Sequence, residues 1–412
     1  MLKNQEILDI ISHSNHFISK NPIIIMAYCK ICGEDNCKEH SFLLGKTAAI
    51  KEFSGSSPPE IFVGKWNYPN VYAGILSPEE SGDTKMLSSA ELWHKNRLSI
   101  FEILNLRNKL IYGRKQNNVK QNLNQKFISV FREMAMADKS VSAEFKLKKP
   151  ITKNLEKETK VPLIKHAADV EKVSLQENPS IKPKIDYLVN DTSAKSITAM
   201  LELEKAGIET SNITKLLSAG LLGLKTSRKL VPTRWSITAV DDALSKEKLK
   251  KIKYHQEISE IQLFNAEYLG NHYEFILLPD KFSFEVIENS LQSGGFWHDY
   301  ELFTPRKKYA NDVTGAYYAN RLALAEYLEK VRRQAQCIVI REVRPEYYAP
   351  LGVGILRQIS REAFSKQPEK FSAIEEALQS AQKRLKQPIA RFTERSILLK
   401  DYGKQKKLDQ FF

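Results

Sequence analysis

Three cysteines and a histidine stand within twelve residues: Cys29, Cys32, Cys37 and His40, spaced C-x2-C-x4-C-x2-H. Thiolates at that density repel one another unless a cation neutralises them. Zn²⁺ takes such sulfur and imidazole ligands in a closed tetrahedral set. Gly33, directly after the second cysteine, lets the chain turn back beneath the sulfurs without a Cβ clash. All four positions are filled by protein and none is left for water, so the expected chemistry is structural: a zinc-finger-like module over 29–40. An iron–sulfur cluster is the alternative, with His40 an atypical ligand for it. Metal binding would supply most of the local folding energy, about 10–16 kcal/mol for small zinc units.

A second polar constellation runs from Thr226 to Asp242, where arginines, hydroxyls, Trp235 and an acidic pair crowd together. Arg228 and Arg234 could grip phosphate bidentately. Asp241 or Asp242 could serve as acid/base or metal ligand. If Ser236–Val240 is a strand, however, the two carboxylates point to opposite faces and cannot share one ion. The plainer role is a helix N-cap ahead of Ala243 and Leu244. Ser54-Gly-Ser56-Ser57-Pro-Pro could turn backbone N–H groups toward an anion, or be a Pro-rich turn and nothing more. Ser56, Ser57, Arg228, Arg234, Asp241 and Asp242 together form a candidate phosphate or nucleotide pocket. No Walker P-loop, G-x-S-x-G, H-E-x-x-H or kinase set is present.

The stretch Gln405-Lys-Lys-Leu408-Asp-Gln-Phe411-Phe412 carries a third kind of chemistry. In a 3₁₀ turn, side chains three apart eclipse, so Gln405, Leu408 and Phe411 share a face with Phe412 beside it. The product is a short plug with an apolar tip and one amide anchor, a form of helix-in-groove recognition. The alternative is that the two phenylalanines fold back onto their own domain. The polar, Gly-containing lead-in from Asp401 argues for a mobile tail over 401–412. The pattern closely resembles the PIP box, which docks on sliding clamps of the PCNA type. By that resemblance Gln405 enters a polar pocket and Leu408, Phe411 and Phe412 fill a hydrophobic one.

The elements that must position these groups are readable in outline. The 412 residues are 42% hydrophobic and 27% charged, ordinary values for a folded protein. No run approaches the ~20 apolar residues of a membrane helix, and Met1–Glu6 does not resemble a signal peptide. The 63 basic against 49 acidic residues leave a net charge of +14, which suits a phosphate-bearing partner. Four cysteines, three of them clustered, do not make a disulfide framework and suit a reducing compartment.

Hairpins mix with helices along the chain, so the expected class is α+β. The picture is a mixed sheet with flanking helices: an N-terminal segment over 1–45, a core over 46–400 and the tail. Helical stretches are expected over 90–110, 121–136, 193–206, 211–219 and 313–335, and near 355–366 and 370–386. Strands are expected over 141–147, 236–240, 258–268, 272–278, 282–286 and 336–343. Gly270-Asn271 reads as a hairpin turn. Gly207 and Gly220 sit where left-handed helix C-termini belong. Residues 139–187 otherwise read as a long connection. Cys337, in an apolar strand, is expected as a small core residue. Tyr309, Tyr317, Tyr318, Arg321 and Tyr327 fall at helical spacing suited to packing. Arg341, Glu342 and Arg344 could line a cleft or form ion pairs.

Together these segments resemble the archaeal NreA family of DNA repair proteins. The resemblance rests on the Cys29/Cys32/Cys37/His40 cluster, Ser56–Gly64, Tyr68-Pro69-Asn-Val71 and Leu217–Gly223. It continues through Thr226–Asp242, Gly315–Ala319 and the PIP box. It spans nearly the whole chain except the Lys-rich middle. It implies a cytoplasmic archaeal protein that works in DNA repair with a PCNA-type clamp as partner. The basic surplus adds DNA or a nucleotide as the expected ligand of the core. It assigns no catalytic mechanism. An enzyme processing nucleotides or DNA ends, built on Arg234, Asp241 and Asp242, is the competing reading, and a pure interaction scaffold a third.

Overall fold

The computed structural model describes residues 50–120, 125–150 and 166–403. The cysteine cluster and the Gln405–Phe412 stretch lie outside the described residues. All described residues belong to one compact unit, Leu43–Phe412. The expected α+β class holds, with two mixed six-stranded sheets where one was expected.

The first sheet runs β1 (Glu52–Ser57), β5 (Val141–Leu147), β6 (His166–Leu175), β4 (Ile111–Asn118), β3 (Asn70–Ser77), β2 (Glu60–Val63) in spatial order. Among the described residues its β4–β6 pair is parallel and its other pairs are antiparallel. β6 falls inside the stretch read as a long connection. The pattern is visible in hindsight: Ala168, Val170 and Val173 face the core while Asp169 and Glu171 stay exposed or half-exposed. Gly55 permits a close approach, since a Cβ there would meet the Pro78 carbonyl oxygen at 2.0 Å. The glycine of the Ser54–Pro59 segment therefore serves strand packing.

The second sheet runs β10 (Phe296–Glu301), β9 (Ser283–Ser290), β11 (Gln336–Val343), β8 (Asn271–Leu278), β7 (Ile261–Tyr268), β12 (Glu369–Phe371). Period-two alternation sorts its residues. Ile276, Leu278, Ile338 and Ile340 pack with Ala377, Ala381, Phe392 and Leu398 on one face. On the other, Phe264 and Phe275 meet Phe364, with ring centroids 5.1 and 4.7 Å apart. Cys337 is buried in β11 as expected, and burial pushes its thiol pKa well up. The hairpin joining β7 and β8 turns on Leu269 and Gly270, one residue before the expected pair. Both have positive φ (53° and 71°), as a type I′ turn requires.

The helices agree in existence more than in extent. The stretch 90–110 divides into Ala90–Lys95 and Ile100–Asn108, because Arg97 takes φ 53° and Ser99 starts a new helix through a capping box with Glu102. Gly207 and Gly220 do adopt φ of 74° and 66°. The largest correction concerns Ser236–Val240, expected as a strand. It lies within a twenty-residue helix, Thr233–Ile252. Its Ser-Ile-Thr-Ala-Val alternation is too short to separate the two periods, and buried packing on several sides blurs the rest.

Candidate functional site

That helix decides the fate of the predicted polar pocket. Successive helical positions lie about 100° apart, so Asp241 and Asp242 both turn inward, toward different partners. Asp241 is met by Arg357 from the helix Val353–Ser365, Nε to Oδ1 at 3.0 Å and Nη2 to Oδ2 at 2.8 Å. Asp242 pairs with Arg321 of the helix Gly315–Val331, and with Lys246 at 2.8 Å. Arg321 also donates to both oxygens of Glu301, at 3.0 and 3.1 Å. Both aspartates are buried and neither caps the helix. Burial raises the pKa of Asp241, while Arg357 pulls it back down.

The remaining candidates also have internal work. Arg228 donates to the carbonyls of Gly223 (2.9 Å), Val189 (2.7 Å) and Asp191 (3.0 Å), tying the Gly223 loop to the C-terminal end of the helix Pro183–Asn190 with the fork expected for phosphate. Ser57 donates to the Leu76 carbonyl at 2.8 Å, and Ser56 Oγ accepts the Gly82 N–H at 3.0 Å. Arg234 is half-buried in the first turn of its helix. None of the six lines either of the two cavities that Glu60 and Lys215 share. Tyr317, Tyr318 and Arg321 are buried, and Arg341 and Glu342 are paired within the core, Arg341 with Glu288 at 2.6 Å.

A concave site exists nearby and uses residues that sequence reading did not select. Two adjoining cavities of about 170 and 100 Å³ share Glu60, Ser88, Glu91, Ser211 and Lys215 in their walls. The start of β2 supplies Glu60, the first turn of Ala90–Lys95 supplies Glu91, and the helix Thr210–Ser218 supplies Lys215. Lys215 Nζ donates to the Pro59 carbonyl at 2.7 Å. Burial pushes the Glu60 carboxyl up and the Lys215 ammonium down, and lowers the pKa of Arg107 to about 10. Thr233, Ile237 and Arg357 close the smaller cavity. Such opposed shifts in a cleft are what general acid–base chemistry or recognition of a small polar ligand needs. The Pro-Pro-Glu60 run was a usable signal; nothing local marked Lys215. Among the described residues no three His, Cys, Asp or Glu side chains gather as a metal site, and no helix is long and apolar enough to cross a membrane.

Exposed aromatic side chains stand where the β2–β3 connection meets the first turn of Thr233–Ile252, Tyr68 against Trp235 and Trp66 two residues before Tyr68. Trp66, Tyr68 and Trp235 are 71%, 43% and 46% exposed, and the Tyr68 and Trp235 rings are 5.2 Å apart.

Two family models account for nearly the whole chain: archaeal Nre, N-terminal, over residues 26–298, and archaeal Nre, C-terminal, over 301–411. Among relatives, DNA repair protein NreB of Archaeoglobus fulgidus is 33% identical over 389 residues, covering 92% of this chain and 97% of that protein. DNA repair protein NreA of the same organism is 36% identical over 377 residues, covering 87% and 93%. NreA of Haloferax volcanii is 33% identical over 327 residues, covering 75% and 77%. The chain belongs to the archaeal Nre family. No solved structure matches it. The junction between the two family regions falls within β10, so the second sheet is built from both. The Asp241–Arg357 and Asp242–Arg321 pairs bind the same two regions together.

Proposed function

We propose that this chain is a cytoplasmic DNA repair factor whose core binds DNA or a nucleotide and whose Gln405–Phe412 stretch carries it to a PCNA-type sliding clamp. The observation that carries the repair role is likeness over most of their length to three proteins named for DNA repair. The net charge of +14 supports a phosphate-bearing ligand. Clamp tethering supplies a high effective concentration at DNA without demanding high intrinsic affinity. The direct test is equilibrium binding of the full chain to a purified clamp ring, beside a chain ended at Gly403. The full chain is expected to bind and the shortened one not; equal affinity would overturn recruitment through this stretch.

In the same reading Cys29, Cys32, Cys37 and His40 hold one structural zinc. The donor set fits, with three thiolates and an imidazole and no position left for substrate. Elemental analysis is expected to find one zinc per chain, reduced in Cys32→Ser. Iron with visible absorption would instead identify a cluster, and no metal at all would remove the assignment.

The cavity around Glu60 and Lys215 favours a second reading, in which the core processes a nucleotide or DNA end. If so, Glu60→Gln and Lys215→Met each reduce turnover of a labelled substrate by about 100-fold or more, the scale of a lost acid–base group. Unchanged turnover in both variants rules this cavity out as the reacting centre.

A further inference from the structure

The exposed aromatic cluster has no role in either the ion-pair network or the cavity. Large aromatic side chains are normally buried, and a contiguous exposed group marks a surface that meets something. Trp66 and Tyr68 sit on the tight connection between β2 and β3. It is held by hydrogen bonds from Gly64 N to the Tyr72 carbonyl and from Asn70 N to the Asn67 carbonyl, each 2.8 Å. Two further segments are stitched to it: Val119 N donates to the Pro69 carbonyl at 2.9 Å, and Leu230 N to the Val119 carbonyl at 3.1 Å. Val63 N donates to Thr233 Oγ1 at 2.9 Å, fixing the first turn that carries Trp235. The three rings are therefore displayed by backbone locked from several sides, and little order has to be gained on binding.

Cations surround these rings. Lys65 Nζ lies over the Trp66 ring, 4.5 Å from its centroid. Arg114 lies over the separate Tyr72 ring of the neighbouring strand β3, at 4.1 Å. Arg114 also pairs with Asp169 at 3.3 Å. Lys120 and Lys229 are exposed and flank the Val119–Leu230 stitch. Exposed aromatics serve protein contacts as well, but lysine is depleted from those. Aromatic faces interleaved with lysines instead match unpaired bases strung on phosphates. Each base offers a π-face for stacking, and the cations track the backbone. In a duplex the base faces are hidden in the stack.

The geometry points to a single-stranded DNA platform made of Trp66, Tyr68 and Trp235, edged by Lys65, Lys120 and Lys229. It rests on the reading of the core as DNA-binding and names the form of DNA it takes. The sequence stretches that hold Tyr68 and Trp235 are 167 positions apart and meet only in the fold.

The test uses the full chain with a fluorescein-labelled single-stranded 15-mer and, separately, the blunt duplex of the same sequence, read by anisotropy. Single strand is expected to bind the tighter and to quench tryptophan fluorescence. Trp66→Ala and Trp235→Ala should each weaken single-strand binding by about 5- to 100-fold. Trp235→Phe should retain most of the affinity. Duplex binding should change little, and the unfolding midpoint should stay put because these rings are exposed. Single-strand affinity unchanged in the Trp66→Ala/Trp235→Ala double variant, or a preference for duplex, overturns the platform while leaving a DNA-binding core standing. Failure of the parent chain to bind either probe overturns both.

Discussion

Arg357→Met is expected to destabilise the fold by about 3–5 kcal/mol, the cost of stranding a buried carboxylate. The Asp241 and Arg357 side chains are 0% and 3% exposed and joined by two hydrogen bonds, so loss of the guanidinium leaves a buried carboxylate without its charged partner. The effect depends on pH in a defined direction. Burial already raises the folded-state pKa of Asp241, and removing Arg357 takes away the main influence that opposes it. A carboxyl whose folded pKa lies above its unfolded value favours folding fully below the unfolded value. That favour is lost as pH rises through the folded pKa. The variant should therefore be nearest to the parent near pH 5 and furthest from it near pH 8. Adding Asp241→Leu removes the stranded charge and is expected to restore most of the loss, since apolar replacements of buried pairs are often neutral. Urea midpoints at the two pH values check all three statements. Midpoints of Arg357→Met equal to the parent at pH 8 would show that the pair holds nothing together.

Phe411→Ala combined with Phe412→Ala is expected to weaken clamp binding by about 100-fold or more. Buried aromatic anchors commonly carry 2 kcal/mol or more apiece, and a tenfold change needs only 1.4 kcal/mol. Leu408→Ala should follow the same direction with a smaller loss, because less apolar area leaves the groove. Gln405→Ala removes a polar anchor and should cost less still. Replacing Lys404, Lys406 and Lys407 by serine is expected to slow association and flatten its salt dependence, with little change in dissociation. Calorimetry and stopped-flow kinetics with a purified ring separate these effects. Full affinity in the double phenylalanine variant would leave the stretch without its proposed purpose.

Much of the local structure was open to sequence reading wherever one residue's chemistry decides it. The left-handed glycines at 207 and 220 and the buried strand over 336–343 needed no knowledge of the rest of the chain. Cys337 was placed correctly for the same reason. The hairpin before β8 was found, with its turn displaced by one residue. β6 was missed because charged residues dilute its apolar face. Ser236–Val240 was misread because five alternating residues fit a strand as well as a turn and a half of buried helix.

The candidate site shows the sharper limit. Arg228 was singled out for its fork, and the fork is used, on three backbone carbonyls. Asp241 and Asp242 were singled out as an unusual acidic pair, and their buried partners lie 116 and 79 residues away. Lys215 attracted no notice, because an ordinary lysine becomes unusual only when Pro59, Glu60 and Glu91 close around it.

The sequence alone determined which groups are present to act: a soft-ligand cluster, a stretch ending in two phenylalanines, a basic surplus and a family membership that the matches over most of the chain bear out. It also set the α+β class, since hydrophobic period and turn chemistry are local properties. Only the tertiary structure decided which charges cancel in the interior, which ones line a cavity, and that Tyr68 and Trp235 stand side by side. Those outcomes depend on distance and burial between remote residues, because electrostatic and stacking energies follow separation in space and are indifferent to separation along the chain.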